Sequence, residues 1–157
     1  MEMEVEFVVE ELISPSSVDV EGLNHLIPQL SRSAPQLTYA AVLEICADPD
    51  VELVVARTGL EVVGMLSLVL FRIPTGVRAL IEDVVVDDRV RGKSLGIALV
   101  EHALGRARLR GAKTVDLTSR PDRVAANRLY RKVGFVERET NVYRYVIENE
   151  LDTKLEN

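Results

Sequence analysis

An α/β (α+β) domain, in which a largely antiparallel central sheet of six to seven strands carries about four helices, is expected for this chain on three grounds. Composition is the first: 47% of the residues are hydrophobic, Val and Leu dominate and Trp is absent, which suits a sheet with helices packed on it. Second, residues 52–86 hold apolar runs broken by Thr58-Gly59-Leu60 and Pro74-Thr75-Gly76, the punctuation of an antiparallel meander. Third, helical spacing takes over at Gly92, gives way to a strand-like run and then returns. At 157 residues and 17.5 kDa the chain is long enough for one real core and short for two, so one domain over 1–148 with a polar tail over 149–157 is expected.

The elements follow in order. Glu4 to Glu11 (EVEFVVEE) reads as an opening strand, and Ser14-Pro15-Ser16-Ser17 as a turn. Val18 to Leu30 and Leu37 to Ala47 read as helices, with Thr38 an N-cap for the second and Asp48-Pro49-Asp50 its stop. ELVVART, EVVGMLSLVLFR and RALIEDVVV read as three strands joined by the two turns already named. From Gly92, Ile97, Val100, Leu104 and Ala107 recur at helical spacing until Gly111. TVDLTS is the next strand; Asp122 then caps a helix whose face is Ala126, Leu129, Tyr130 and Val133, ended by Gly134. FVERE and NVYRYVI close the domain as strands, and the apolar NVYRYVI would leave a sheet edge that a homodimer could cover.

Charge is distributed unevenly. The net charge is −6, yet Arg89 to Lys132 carries twelve Lys or Arg against three acids, while the rest carries seven against twenty-two. Overall acidity argues against a nucleic-acid partner, and one basic segment in an acidic chain fits a small polyanionic ligand. Within it, Arg106, Arg108 and Arg110 read as a solvated helix face. No apolar run has the length of a bilayer span and the N-terminus is acidic, so no membrane partner and a cytoplasmic location are expected. Cys46 stands alone in VLEIC as a buried spectator; His25 and His102 are far apart without acidic or thiol partners at ligand spacing, so no metal site is expected.

The stretch Val90 to Gly96, VRGKSLG, ends like a nucleotide-binding Walker loop, Gly-Lys-Ser. Such a loop needs a second Gly five residues earlier, and Asp87 stands there with Asp88 beside it, carboxylates that would repel a triphosphate. What survives is a strand, a short loop and a helix whose first turn is RGKSLG. A helix N-terminus presents unpaired amides and partial positive charge, which suits a pyrophosphate on any carrier. Gly92 and Gly96 let backbone approach it, while Arg89, Arg91 and Lys93 add charge.

VVVDDRVRGKSLGIALVEHAL resembles the acetyl-CoA-binding segment of the GCN5-related N-acetyltransferases (GNAT), whose core is Arg or Gln, two residues, Gly or Ala, one residue, Gly or Ala. Arg91, Ser94 and Gly96 occupy those places, and Ser94 departs from the pattern by replacing the middle Gly with a small hydroxyl residue. AANRLYRKVGF resembles the family's second signature through Asn127, Tyr130, Gly134 and Phe135. Together the signatures span about the last half of the chain. The resemblance implies a GNAT-type mixed, mostly antiparallel sheet and acetyl-CoA as cosubstrate.

It further implies that the Val84, Val85 and Val86 backbone holds the pantetheine arm, and that Arg91, Gly92, Lys93, Ser94, Leu95, Gly96 and Ile97 hold the pyrophosphate. Tyr130 falls where the family often has a proton donor to the departing sulfur, with Asn127 one turn earlier facing the same cofactor. IEDVVV resembles IEDIAV of the glucosamine-6-phosphate acetyltransferase branch, which makes Glu82 the base for the amine proton and Asp83 its reserve. Strand alternation lets only one of these two carboxylates point into the cleft. The implied reaction is transfer of acetyl to a primary amine by direct attack in a ternary complex, no Cys lying near the signatures. The alternative is a catalytically silent acetyl-CoA-binding regulatory module. A small-molecule or peptide amine is the expected acceptor, with Arg120 and Arg123 available for an acceptor phosphate or carboxylate.

Overall fold

A computed structural model describes residues 6–92 and 94–147. Lys93, residues 1–5 and the expected tail at 149–157 lie outside them. The strands are β1 (Val8–Glu11), β2 (Val51–Thr58), β3 (Glu61–Ile73), β4 (Gly76–Val86) and β5 (Val115–Asp116), and they lie in one sheet in chain order. All neighbours are antiparallel except β4 and β5. Both tight turns form: Thr58 pairs with Glu61 around a Gly59 whose φ is +60°, and Ile73 pairs with Gly76.

Four helices flank the sheet: α1 (Ser17–Leu30), α2 (Tyr39–Ala47), α3 (Leu95–Leu109) and α4 (Val124–Val133). Helix α1 starts from a reciprocal capping box. The Ser16 hydroxyl accepts from the Asp19 amide at 3.2 Å, and the Asp19 carboxylate accepts from the Ser16 amide at 2.8 Å. Thr38 caps α2 through the Ala41 amide at 3.1 Å. Helix α3 closes at Gly111, where the Ala112 amide returns to the Ala107 carbonyl at 3.0 Å.

Alternation in the strands builds a core on each face. Val54, Ala56, Leu66, Leu68, Leu70, Ala79 and Ile81 turn toward Leu95, Leu99 and Ala103 of α3 and Tyr130 of α4. Leu53, Val55, Met65 and Val85 turn the other way, toward Leu23 and Leu26 of α1 and Val42 of α2. Contact between α1 and β3 is close: a Cβ on Gly22 would lie 2.9 Å from Val62 Cβ. No helix among the described residues is long and apolar enough to cross a membrane.

Several expectations change. The sheet has five described strands, because residues 135–147 form none and TVDLTS contributes only Val115–Asp116. FVERE and NVYRYVI have the side chains of strands, but β character needs a paired neighbour, and Val142, Tyr143, Tyr145 and Ile147 remain exposed. RGKSLG is no helical turn either: a 3₁₀ turn at Asp88–Val90 precedes α3, which begins at Leu95. Asp122 does not cap α4; Arg123 holds the N-cap position without a side-chain bond.

Arg106 and Arg110 are not a solvated face. They reach across from α3 to Glu52 of β2, whose side chain is 2% exposed, with N–O distances of 2.8 and 2.9 Å. Hydrogen bonding from Arg106, opposed by burial, holds the Glu52 carboxyl below its ordinary range. Arg108 alone of the three is exposed and unpaired among the described residues.

Candidate active site

The site begins with a defect in β4. Ser67 of β3 pairs with Glu82 and Met65 with Val85, so Leu66 faces two residues, Asp83 and Val84. Asp83 takes the left-handed conformation, φ 53°, that such a bulge uses. The bulge reverses the side-chain phase: Ala79 and Ile81 face α3 before it, whereas Val85 faces α1 and Val84 and Val86 pack on the α3 side after it. Simple alternation over Ile81 to Val85 therefore fails. Glu82 lies on the α1 and α2 side, Asp83 is the inserted residue, and both are exposed.

The same region of β4 has a bare outer edge. Strand β5 pairs only with Ala79 and Leu80. Past that point no described strand covers the peptide groups of residues 82–86 that point away from β3. Between this end of β4, the start of α3 and the N-terminal part of α4 lies a cleft of about 830 Å³. Into it open Val84, Val85 and Val86, the loop from Val90 to Gly92, Ser94, and the first turn of α3 at Leu95, Gly96 and Ile97.

Ser94 is the N-cap of α3, in the left-handed region at φ 63°, and makes no side-chain cap bond. The first amides of a fifteen-residue helix thus face the cleft with no capping side chain. Gly92 holds φ +79° in the approach. A Cβ on Gly96 would fall 2.9 Å from Leu129 Cδ1, so a side chain there would have to displace the tip of Leu129.

Beneath the loop lies Asp87, 1% exposed. Its carboxylate accepts from the Arg89 guanidinium at 2.7 and 3.1 Å and from the Arg89 amide at 3.1 Å, with His25 Nε2 of α1 at 3.3 Å. Hydrogen bonding from Arg89, working against burial, lowers its pKa from 3.8 to about 2. Asp88 is tied to α1 through its amide, which donates to Gln29 Oε1 at 2.9 Å. The repulsion expected of Asp87 toward a phosphate is therefore absent, because the charge points inward; the missing Gly remains the argument against a Walker loop.

Tyr130 comes to the cleft from α4 and is 7% exposed, its ring edge-on to Phe135 with centroids 5.9 Å apart. Burial pushes its phenol above the usual range, against a smaller lowering by Arg123, so it stays protonated at neutral pH. No hydrogen bond among the described residues holds its hydroxyl. Asn127 is outside this cleft: its amide donates to the Arg120 carbonyl at 3.0 Å, tightening the turn before α4, and with Tyr130 it borders the neighbouring pocket on the β5 side.

Glu82 and Asp83 also lie outside the cleft lining, and Lys93 is outside the described residues. Arg120 and Arg123 do border the cleft, from the α4 side. Sequence reasoning missed Gln29 and Leu30, which close it from α1. Nothing local marks them; they arrive because α1 packs over β3 and β4.

Residues 20–135 match the model of the Acetyltransferase (GNAT) family, and the chain belongs to that family. No match is found among curated proteins. Among solved structures it is similar to a transcriptional regulator from Bacillus halodurans C-125, 29% identical with a TM-score of 0.75, over 90% of this chain and 100% of that one. A putative acetyltransferase from Agrobacterium tumefaciens str. C58 is 25% identical with a TM-score of 0.78, over 88% and 99%. Glucosamine-6-phosphate N-acetyltransferase from Arabidopsis thaliana shares the fold at 23% identity and a TM-score of 0.75, over 89% and 98%.

Proposed function

We propose that this chain moves an acetyl group from acetyl-CoA to a primary amine by direct attack in a ternary complex. The observation that carries the reading is one cleft bounded by three complementary features: the bare β4 edge, the uncapped start of α3 and the buried phenol of Tyr130. An extended polar arm suits the outward peptide groups of Val84 and Val85, the Val86 carbonyl accepting from Arg91 Nε at 3.3 Å, and a pyrophosphate suits the α3 amides with Arg91 beside them. Lys93 adds a further cation in the sequence of that loop.

The amine nitrogen bonds to the thioester carbonyl carbon and the carbon–sulfur bond breaks. Tyr130 supplies a proton to the leaving sulfur, a role its raised pKa suits. Glu82, two residues before Val84 across the bulge, takes the amine proton through water. Cys46 offers no covalent route: it packs toward the α1 and α2 core and its thiol is pushed up, chiefly by burial.

Calorimetric titration with acetyl-CoA, followed by free-thiol release with an amine panel, tests the reading. Saturable binding and amine-dependent release support it; binding without release favours a regulatory module. Tyr130→Phe and Glu82→Gln should each slow turnover by roughly a hundred- to ten-thousand-fold with acetyl-CoA affinity nearly unchanged. Normal turnover by either variant removes that residue from the mechanism.

A further inference from the structure

Beyond the cleft, the described residues leave the α1 and α2 face of the sheet incompletely covered. Cross-strand register sets Val51, Val69 and Leu80 in one row, Leu53, Ser67 and Glu82 in the next toward the cleft, and Phe71 opposite Arg78 on the far side. Alternation from Leu53 and Met65, which face α1 and α2, puts all of these on that same face. Val69, Phe71 and Leu80 are only half-buried and belong to neither core. The result is an apolar shelf with the Glu82 carboxylate at its cleft end and the Arg78 guanidinium at its other end.

We propose that this shelf receives the body of the acceptor, which is a primary amine carried on an apolar group. The proposal rests on the acetyltransferase reading and assigns its substrate class. An ammonium fits beside Glu82, with Asp83 next to it, and the attached apolar body then lies over Leu80, Val69 and Phe71, where burial is favourable. A polycationic acceptor laid along the shelf meets Arg78, and an aminosugar phosphate leaves the apolar row uncovered. An arylalkylamine and a peptide N-terminus with an apolar first side chain share the required chemistry.

The test uses the full chain with saturating acetyl-CoA and follows free-thiol release with 2-phenylethylamine, a short peptide beginning with Phe, spermidine and glucosamine 6-phosphate. At least one of the first two should exceed both polar amines in kcat/KM by about tenfold or more, and the better of them identifies the source. Leu80→Gln and Phe71→Gln should raise KM for that amine about tenfold, with kcat and the KM for acetyl-CoA unchanged and the melting transition retained. Preference for spermidine or glucosamine 6-phosphate overturns the proposal without reference to any variant. So does a folded variant pair that leaves every KM unchanged, or a dimer that Phe71→Gln splits while amine selectivity stays the same. Acetyl-CoA binding without thiol release from any amine sinks the acetyltransferase reading itself; turnover confined to polar amines sinks only the apolar acceptor.

Discussion

Helices α1 and α3 begin in opposite ways. At α1 the chain seals its own end: Ser16 and Asp19 exchange hydrogen bonds, and the buried Asp19 carboxylate also receives Arg57. Burial is the largest single influence on Asp19 and resists its charge. The bonds from Arg57 and from the amide and hydroxyl of Ser16 together outweigh it, so the carboxyl sits below its ordinary range. At α3 the N-cap is a left-handed Ser94 without a cap bond, and the first turn holds no acid. One helix satisfies its amides from within the fold; the other presents them to a cleft. A helix end that forgoes about 1 kcal/mol of capping at a cleft wall is better explained by a ligand than by packing.

The contrast can be broken most severely by making α3 resemble α1. Ser94→Asp places a carboxylate where the pyrophosphate is proposed to sit, and calorimetry should show acetyl-CoA affinity falling by roughly a hundred-fold or more. Unchanged affinity would place the phosphates elsewhere. A smaller effect concerns the anchor beneath the loop. With a folded pKa of about 2 against 3.8, Asp87 contributes stability that is complete above pH 3.8 and is lost as pH falls through 2. That contribution is on the order of 2 kcal/mol, and urea unfolding between pH 5 and 2 should show it in the parent and not in Asp87→Asn.

Ser16→Ala opens α1 instead. It should cost about 1 kcal/mol in urea unfolding and leave acetyl-CoA titrations unaltered, since Ser16 does not line the cleft. Least of all, Ser94→Gly relieves the left-handed strain and restores the family pattern. A gain of up to about 1 kcal/mol is expected with binding retained, and lower stability would show that the hydroxyl makes a contact of its own.

The features legible beforehand are local ones. Thr38 as a cap, the turns at Gly59 and Pro74-Thr75, the stop at Gly111, and the two family signatures each depend on residues within a few positions of one another. Physical terms set over such distances, φ preference and side-chain reach to a neighbouring amide, are written in short stretches of chain. That is why Arg91, Gly92, the first turn of α3 from Ser94 to Ile97, and Tyr130 stand out together in the sequence and also line one cleft.

What required tertiary structure depends on partners far along the chain. Arg106 and Arg110 read as solvent-facing until Glu52, more than fifty residues away, is found beneath them. Asp87 looked like an obstacle to phosphate until Arg89 and His25 turned its charge inward. The bulge at Asp83 arises from register against β3 and decides which face Glu82 occupies. FVERE and NVYRYVI carry strand-forming side chains without a strand, because a ladder exists only where another backbone pairs with it. Short-range conformational preference is thus carried by the residues themselves, whereas burial, charge pairing and strand register belong to the assembled fold.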